Sequence, residues 1–234
     1  MNFVRIGEKP EISRLPLFRD MDDGKRERIF SGSFLQVFPP QLTLFAAGQQ
    51  SDFLYVLVDG LVELYAVSAG RETTMRIVEP VTSFILAAVV TDMPFLMSAR
   101  TLVSSRILLV PAALMREVIK QDAALMQATM QELAVGYRGL VRALTDMKLR
   151  QSAERLGNYL MEQGVRLGDP EAFELKGEKR VLASLLGMTP ENLSRAFGVL
   201  RDHGVGVSGS RVTILDRDRL ARFSRPDPVP PDPI

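Results

Sequence analysis

The sequence predicts an α+β chain in three parts: an antiparallel β-structure, one long helix, and a C-terminal helix-turn-helix with a wing. Three observations carry that prediction. Short runs rich in Val, Ile, Leu, Phe and Thr, broken by Gly, Pro and Asp, fill residues 34–110. An apolar heptad follows through residues 126–147, and residues 179–200 spell two short helices about a tight turn. At 234 residues and 46% hydrophobic, the chain is long enough for one large or two modest cores.

The elements justify themselves in order. Leu15-Pro16-Leu17-Phe18 leads into a charged segment, residues 20–30, that reads as a short helix. Eight β-prone runs follow at regular spacing, at 34–38, 42–45, 53–58, 61–67, 73–78, 83–90, 99–103 and 107–110. Such regularity argues for a closed antiparallel β-structure. Val58-Asp59-Gly60-Leu61 is the clearest hairpin signal, because Asp-Gly supplies the positive φ values a tight turn needs.

From Pro111 the periodicity becomes helical for about 35 residues. Met126, Met130, Leu133, Tyr137, Leu140, Leu144 and Met147 are spaced 4, 3, 4, 3, 4, 3, an a/d seam of three heptads. A helix lying on its own core would show a broader apolar stripe, so this narrow seam, flanked by Gln131, Arg138 and Arg142, predicts a parallel coiled-coil dimer.

Residues 148–167 read as a further helix carrying Leu149, Ala153, Leu156, Tyr159 and Leu160, followed by a loop at Gly168-Asp169-Pro170. In the next helix Val181, Leu182, Leu185 and Leu186 form the buried face, and Gly187 permits a sharp turn. Thr189 then caps a new helix with Pro190 at its first position, and Leu193, Phe197 and Leu200 pack inward. Glu191, Ser194 and Arg195 are left on the outer face. A carboxylate accepts from the cytosine amino group, an arginine grips guanine O6 and N7, and a serine serves a base or a phosphate. The same trio on an ordinary helix would be a solvated face; the turn, the cap and the placement at the helix start favour base contacts in double-stranded DNA. Val205-Gly206-Val207 and residues 211–215 read as two strands about Ser208-Gly209-Ser210, a wing. Lys179, Arg180, Thr189 and Arg211 are the candidate phosphate contacts.

Leu182-Ala183, Leu186-Gly187, Glu191 and Ser194-Arg195 resemble the helix-turn-helix of the CRP/FNR superfamily of bacterial transcription regulators, and the resemblance extends along most of the chain. Glu191-x-x-Ser194-Arg195 is similar to the FNR and DNR branch, whereas the cAMP-receptor branch usually has Gly at the Ser position. The resemblance implies a cyclic-nucleotide-binding-like β-roll at 1–121, a dimerisation helix at 122–147, a winged helix-turn-helix at 148–225 and a Pro-rich, disordered tail at 226–234. It also implies a homodimer on a palindromic, TTGA-like site, contact with RNA polymerase, and control by a signal at the β-roll, with a gas such as nitric oxide or a redox event among the candidates. Pro190 departs from the pattern, since many relatives have Arg or Val there.

The signal is less legible. By that resemblance the Glu and Arg that hold cAMP fall on Ala87 and Met97, so both charges are missing and only Ser98 of the phosphate-binding segment survives. Binding of cAMP is therefore not expected. Phe84, Leu86, Met97 and Ser98 form an apolar candidate effector pocket, although an ordinary core explains such residues as well. A haem would have to be held by Met, Tyr, Lys or the terminal amine.

Composition removes several function classes. The absence of cysteine excludes disulfides, thiol nucleophiles and cysteine-bound iron–sulfur clusters. The single histidine, His203, sits before Gly204 just past the second helix, where a capping or surface role is expected. Multi-histidine metal sites, a Gly-x-x-x-x-Gly-Lys loop and a Gly-x-Gly-x-x-Gly turn are all missing, so no enzymatic activity is expected. The rival reading is an effector-binding β-roll module, or an enzyme, whose C-terminal helices make protein contacts. Residues 148–225 hold 14 Lys/Arg against 10 Asp/Glu, a basic excess that suits a polyanion. No signal peptide is apparent, and the longest apolar run, residues 84–90, is too short to cross a bilayer, so a cytoplasmic protein is expected.

Overall fold

A computed structural model describes residues 10–168 and 170–226. The chain divides into two compact units with the boundary between Tyr137 and Arg138. In the first unit, α1 (Pro10–Ser13), α2 (Pro16–Arg19) and α3 (Asp23–Ser31) precede β1 (Phe34–Phe38), β2 (Thr43–Phe45), β3 (Phe53–Asp59), β4 (Val62–Ser68), β5 (Arg71–Val78) and β6 (Thr82–Phe84). Then come α4 (Leu86–Thr91), β7 (Ser98–Thr101), β8 (Ser105–Pro111), α5 (Ala112–Gln121) and α6 (Ala123–Leu149), the last of which runs past the unit boundary.

The eight strands form two four-stranded antiparallel sheets, ordered β1-β8-β3-β6 and β2-β7-β4-β5. Asp59-Gly60 therefore carries the chain from one sheet to the other instead of closing the expected hairpin, and the paired hairpin is β4–β5, which turns at Ala69 and Gly70 with φ of 49° and 74°. Successive side chains of a strand point to opposite faces, and in β3 both faces are buried. Tyr55 and Leu57 join Phe84 and Ile107 against Phe45, Val62, Leu64, Val78 and Ala99 of the other sheet. Leu54, Val56 and Val58 face outward with Leu108 and Val110 and are covered by Phe18, Ile29, Phe30, Val89, Met115, Val118 and Leu125 of the helices. Each such fully buried side chain is worth about 1.5–3 kcal/mol.

The run at 83–90 is not one strand. It stops at Phe84; Ile85 takes a left-handed backbone with φ of 64°, and α4 begins at Leu86. Phe84 thereby stays between the sheets while Leu86 and Val89 enter the outer core. Periodicity cannot separate strand from helix in a wholly apolar run.

The helical stretch after Pro111 is likewise broken, at Asp122, whose backbone is extended. The Asp122 carboxylate caps α6 by accepting from the Leu125 N–H at 2.9 Å, and it also accepts from the Asp22 N–H at 3.2 Å. The Lys25 ammonium lies 3.7 Å away. Burial works against the charge, but these N–H groups and Lys25 outweigh it and hold the carboxyl below its ordinary range. Asp122→Ala should therefore destabilise the N-terminal unit by about 1–2 kcal/mol. Because the folded pKa is lowered, this stabilisation is in place above the ordinary aspartate value of about 3.9 and fades as pH falls through the folded one. Urea melts should show a full gap between parent and variant at neutral pH that closes in acid; a constant gap would rule the carboxylate out.

The first half of α6 lies on this unit through buried Leu125 and Thr129 and half-buried Ala128 and Leu133. Glu132 accepts a hydrogen bond from the Ser83 hydroxyl of β6. Burial pushes the Glu132 carboxyl up, opposed by that hydrogen bond and by the Arg76 charge.

The second unit holds the rest of α6, then α7 (Ser152–Arg166), β9 (Ala172–Glu174), α8 (Lys179–Leu185), α9 (Pro190–Arg201), β10 (Val205–Ser208), β11 (Arg211–Ile214) and α10 (Arg217–Ser224). Leu156 and Leu160 of α7 pack with Leu182, Leu193, Phe197 and Leu200, and with Phe173, Val205 and Val212 of a three-stranded sheet ordered β10-β11-β9. The sequence reading missed β9 and α10. β9 has only three residues, Val212 pairing with Phe173, and α10 carries one fully buried apolar residue, Leu220, among charges. Of the proposed Pro-rich tail, residues 227–234 lie outside the described residues.

Candidate nucleic-acid interface

The helix-turn-helix forms as its residues require. Val181, Leu182, Ala183 and Leu186 are buried and Leu185 is half-buried. Gly187 turns the chain with φ of +62°, which favours glycine, and the Met147 thioether packs against the place a Cβ would take. Thr189 Oγ1 accepts from the Asn192 N–H at 3.2 Å, and Pro190 opens α9. Leu193, Ala196, Phe197 and Leu200 point inward.

Glu191, Ser194 and Arg195 are all exposed on the first two turns of α9. The helix's own N–H at Glu191, the Thr189 hydroxyl and the Arg195 charge hold the Glu191 carboxyl below its ordinary range. Thr189, expected at a phosphate, thus has its hydroxyl committed to the cap. Lys179 and Arg180 are exposed at the start of α8, where Arg180 makes a 3.9 Å contact with Glu178 that full solvation weakens. Arg211 is exposed on the wing, opposite Ser208 across the β10–β11 hairpin. His203 stacks on Phe223 of α10 at 4.0 Å between ring centroids, joining two elements of the unit rather than serving a site.

The heptad seam on α6 is open. Tyr137 is 70% exposed, Leu140 64% and Leu144 56%, and Met126, Met130 and Met147 are also largely exposed. Leu133 differs, because it packs against the N-terminal core. Met147 differs too, since its thioether covers the Gly187 turn.

Of the four residues expected to line an effector pocket, Phe84 and Met97 share the core between the sheets, while Leu86 is turned into the outer core. Ser98 Oγ accepts from the Ala47 N–H at 3.0 Å. Aromatic rings occupy the space between the sheets, with Phe45 lying 4.0 Å from Phe95, 5.0 Å from Tyr55 and 6.5 Å from Phe84. Leu64 and Ala99 are paired inward, so their neighbours Glu63 and Arg100 face the other way. Arg100 is held there by Glu63 at 2.7 Å, by Glu72 and by the Tyr65 ring, and is not free to meet a phosphate between the sheets.

Sequence reasoning also missed Arg150 and Arg155, which join elements within the C-terminal unit. Arg155 of α7 donates to the carbonyls of Leu186 at 3.0 Å and Gly187 at 3.4 Å. A lone arginine on a half-buried helix face gives no signal in sequence; only the positions of main-chain carbonyls reveal it.

Comparison with known proteins bears on both units. Residues 35–122 match the cyclic nucleotide-binding domain family, and residues 154–223 match the Crp-like helix-turn-helix domain family. The chain belongs to the CRP/FNR superfamily. A CRP-like cAMP-activated global transcriptional regulator of Mycobacterium tuberculosis is 26% identical over 194 residues, 80% of this chain and 87% of that protein. Among solved structures, FixK2 from Bradyrhizobium japonicum superposes with a TM-score of 0.73 at 21% identity, covering 81% of this chain and 96% of that one. A CooA mutant from Carboxydothermus hydrogenoformans gives 0.71 at 16% identity, covering 82% and 88%. Those two show the fold. This CRP/FNR chain is thus a CRP-like transcription regulator with a cyclic-nucleotide-binding-type domain and a DNA-binding helix-turn-helix. Among the described residues, no helix is long and apolar enough to cross a membrane.

Proposed function

We propose that the protein regulates transcription as a homodimer on a palindromic, TTGA-like site. Glu191, Ser194 and Arg195 read base edges, while Lys179, Arg180, Arg211 and the N-cap at Thr189 meet phosphates. The observation that carries the reading is the outer face of α9, where this trio is exposed on a capped helix start within a Crp-like helix-turn-helix. The open α6 seam supports the dimer, because a two-fold protein presents two such helices to major grooves one turn apart. The regulator contacts RNA polymerase and answers a signal received by the β-roll unit. That signal is not cAMP, given Ala87, Met97 and the aromatic core.

Selection from a random pool of duplexes tests this directly. The expected result is an inverted repeat of TTGA-like half-sites, and recovery of no common sequence would overturn it. Repeating the selection with candidate effectors, and recording an absorption spectrum of the purified protein, would reveal a bound signal or a haem.

A further inference from the structure

Arg155 is separated from the proposed base contacts, yet its guanidinium ties three places together. Nη1 donates to the Arg150 carbonyl at 2.7 Å, Nε to the Leu186 carbonyl at 3.0 Å and Nη2 to the Gly187 carbonyl at 3.4 Å. Arg150 lies between α6 and α7, whereas Leu186 and Gly187 form the turn of the helix-turn-helix. Two further contacts act on the same joint. Met147, on the last turns of α6, fills the space beside Gly187. Arg150 pairs with Asp146 of α6 at 2.6 Å and donates to the Ser224 carbonyl of α10 at 2.8 Å. Once its amide is oriented by its neighbours, Asn158 accepts from Arg150 Nη1 at 2.7 Å.

We propose that Arg155 is the positioning residue that fastens the helix-turn-helix to the end of α6, so that residues 138–149 move with the recognition helix. The consequence for DNA reading rests on the function proposed above; the fastening itself does not.

The chain has no cysteine, so introduced cysteines are its only spin-label sites. Labels at Ala143→Cys and Glu178→Cys, in chains diluted with unlabelled protein, should give one narrow distance distribution that broadens in Arg155→Gln. Arg155→Gln should also weaken binding to the selected site roughly tenfold or more while changing binding to random duplex by less than about threefold. A narrow 143–178 distribution in folded Arg155→Gln overturns the fastening. Should the Gln variant not fold, Arg155→Lys gives the same readings, since one ammonium cannot span the three carbonyls. If the parent selects no DNA, the proposed function falls, and the distances still decide this inference.

Discussion

Arg195→Ala is expected to weaken binding to the selected site by about 1–3 kcal/mol per half-site, roughly 2–6 kcal/mol for a symmetric dimer. The fold should survive, because Arg195 is exposed while its neighbours Ala196 and Phe197 provide the packing. What is lost is the two-pronged grip on guanine, a geometry no other residue at this position reproduces. Arg195→Lys keeps the charge and loses the fork, so it should fall between parent and alanine. Binding isotherms on the selected and a scrambled duplex, at one fixed salt concentration, separate the roles. A base contact lowers affinity for the selected duplex and relaxes the sequence preference. Equal losses on both duplexes would make Arg195 a phosphate contact instead.

Leu140→Glu should convert the dimer to a monomer. Leu140 is 64% exposed on α6 and belongs to neither core, so the change removes little from the isolated chain. In a parallel coiled coil it sets two carboxylates face to face in an apolar seam, and each unpaired buried charge costs several kcal/mol. Light scattering should give the monomer mass. Binding to the palindrome should collapse towards that of a single half-site, because the second contact is no longer tethered to the first. Leu133→Glu is the less clean test, since Leu133 also packs on the N-terminal core and its loss would disturb that unit. A dimer that persists in Leu140→Glu would place the interface elsewhere.

The parts of the fold that sequence revealed are those in which one residue type has one physical job. Thr189-Pro190 marked a helix start and Gly187 a turn at positive φ, whereas Asp59-Gly60 marked a turn but not a hairpin, because β3 and β4 go to different sheets and only Gly60 takes a positive φ. The seam residues on α6 were visible because period and exposure coincide there. Sequence failed where two structures satisfy the same pattern. The run at 83–90 is apolar throughout, so nothing along it marked the reversal at Ile85. Met147 and Leu133 fit the heptad and yet also pack within their own chain. The effector region misled for a related reason: Phe84 and Leu86 lie two residues apart, but the intervening left-handed residue sends them into different cores. Arg155 acts on carbonyls some 31 residues away, which local pattern cannot show.

The capped carboxylate of Glu191 has one more consequence. A carboxylate offers about four lone-pair directions, and the helix start and Thr189 occupy only part of them. In the proposed docking the ionised group meets DNA with a place left for one more donor. Its preference at the corresponding base should accordingly hold constant across neutral and mildly acidic media, making it a reader indifferent to the acidity of its surroundings.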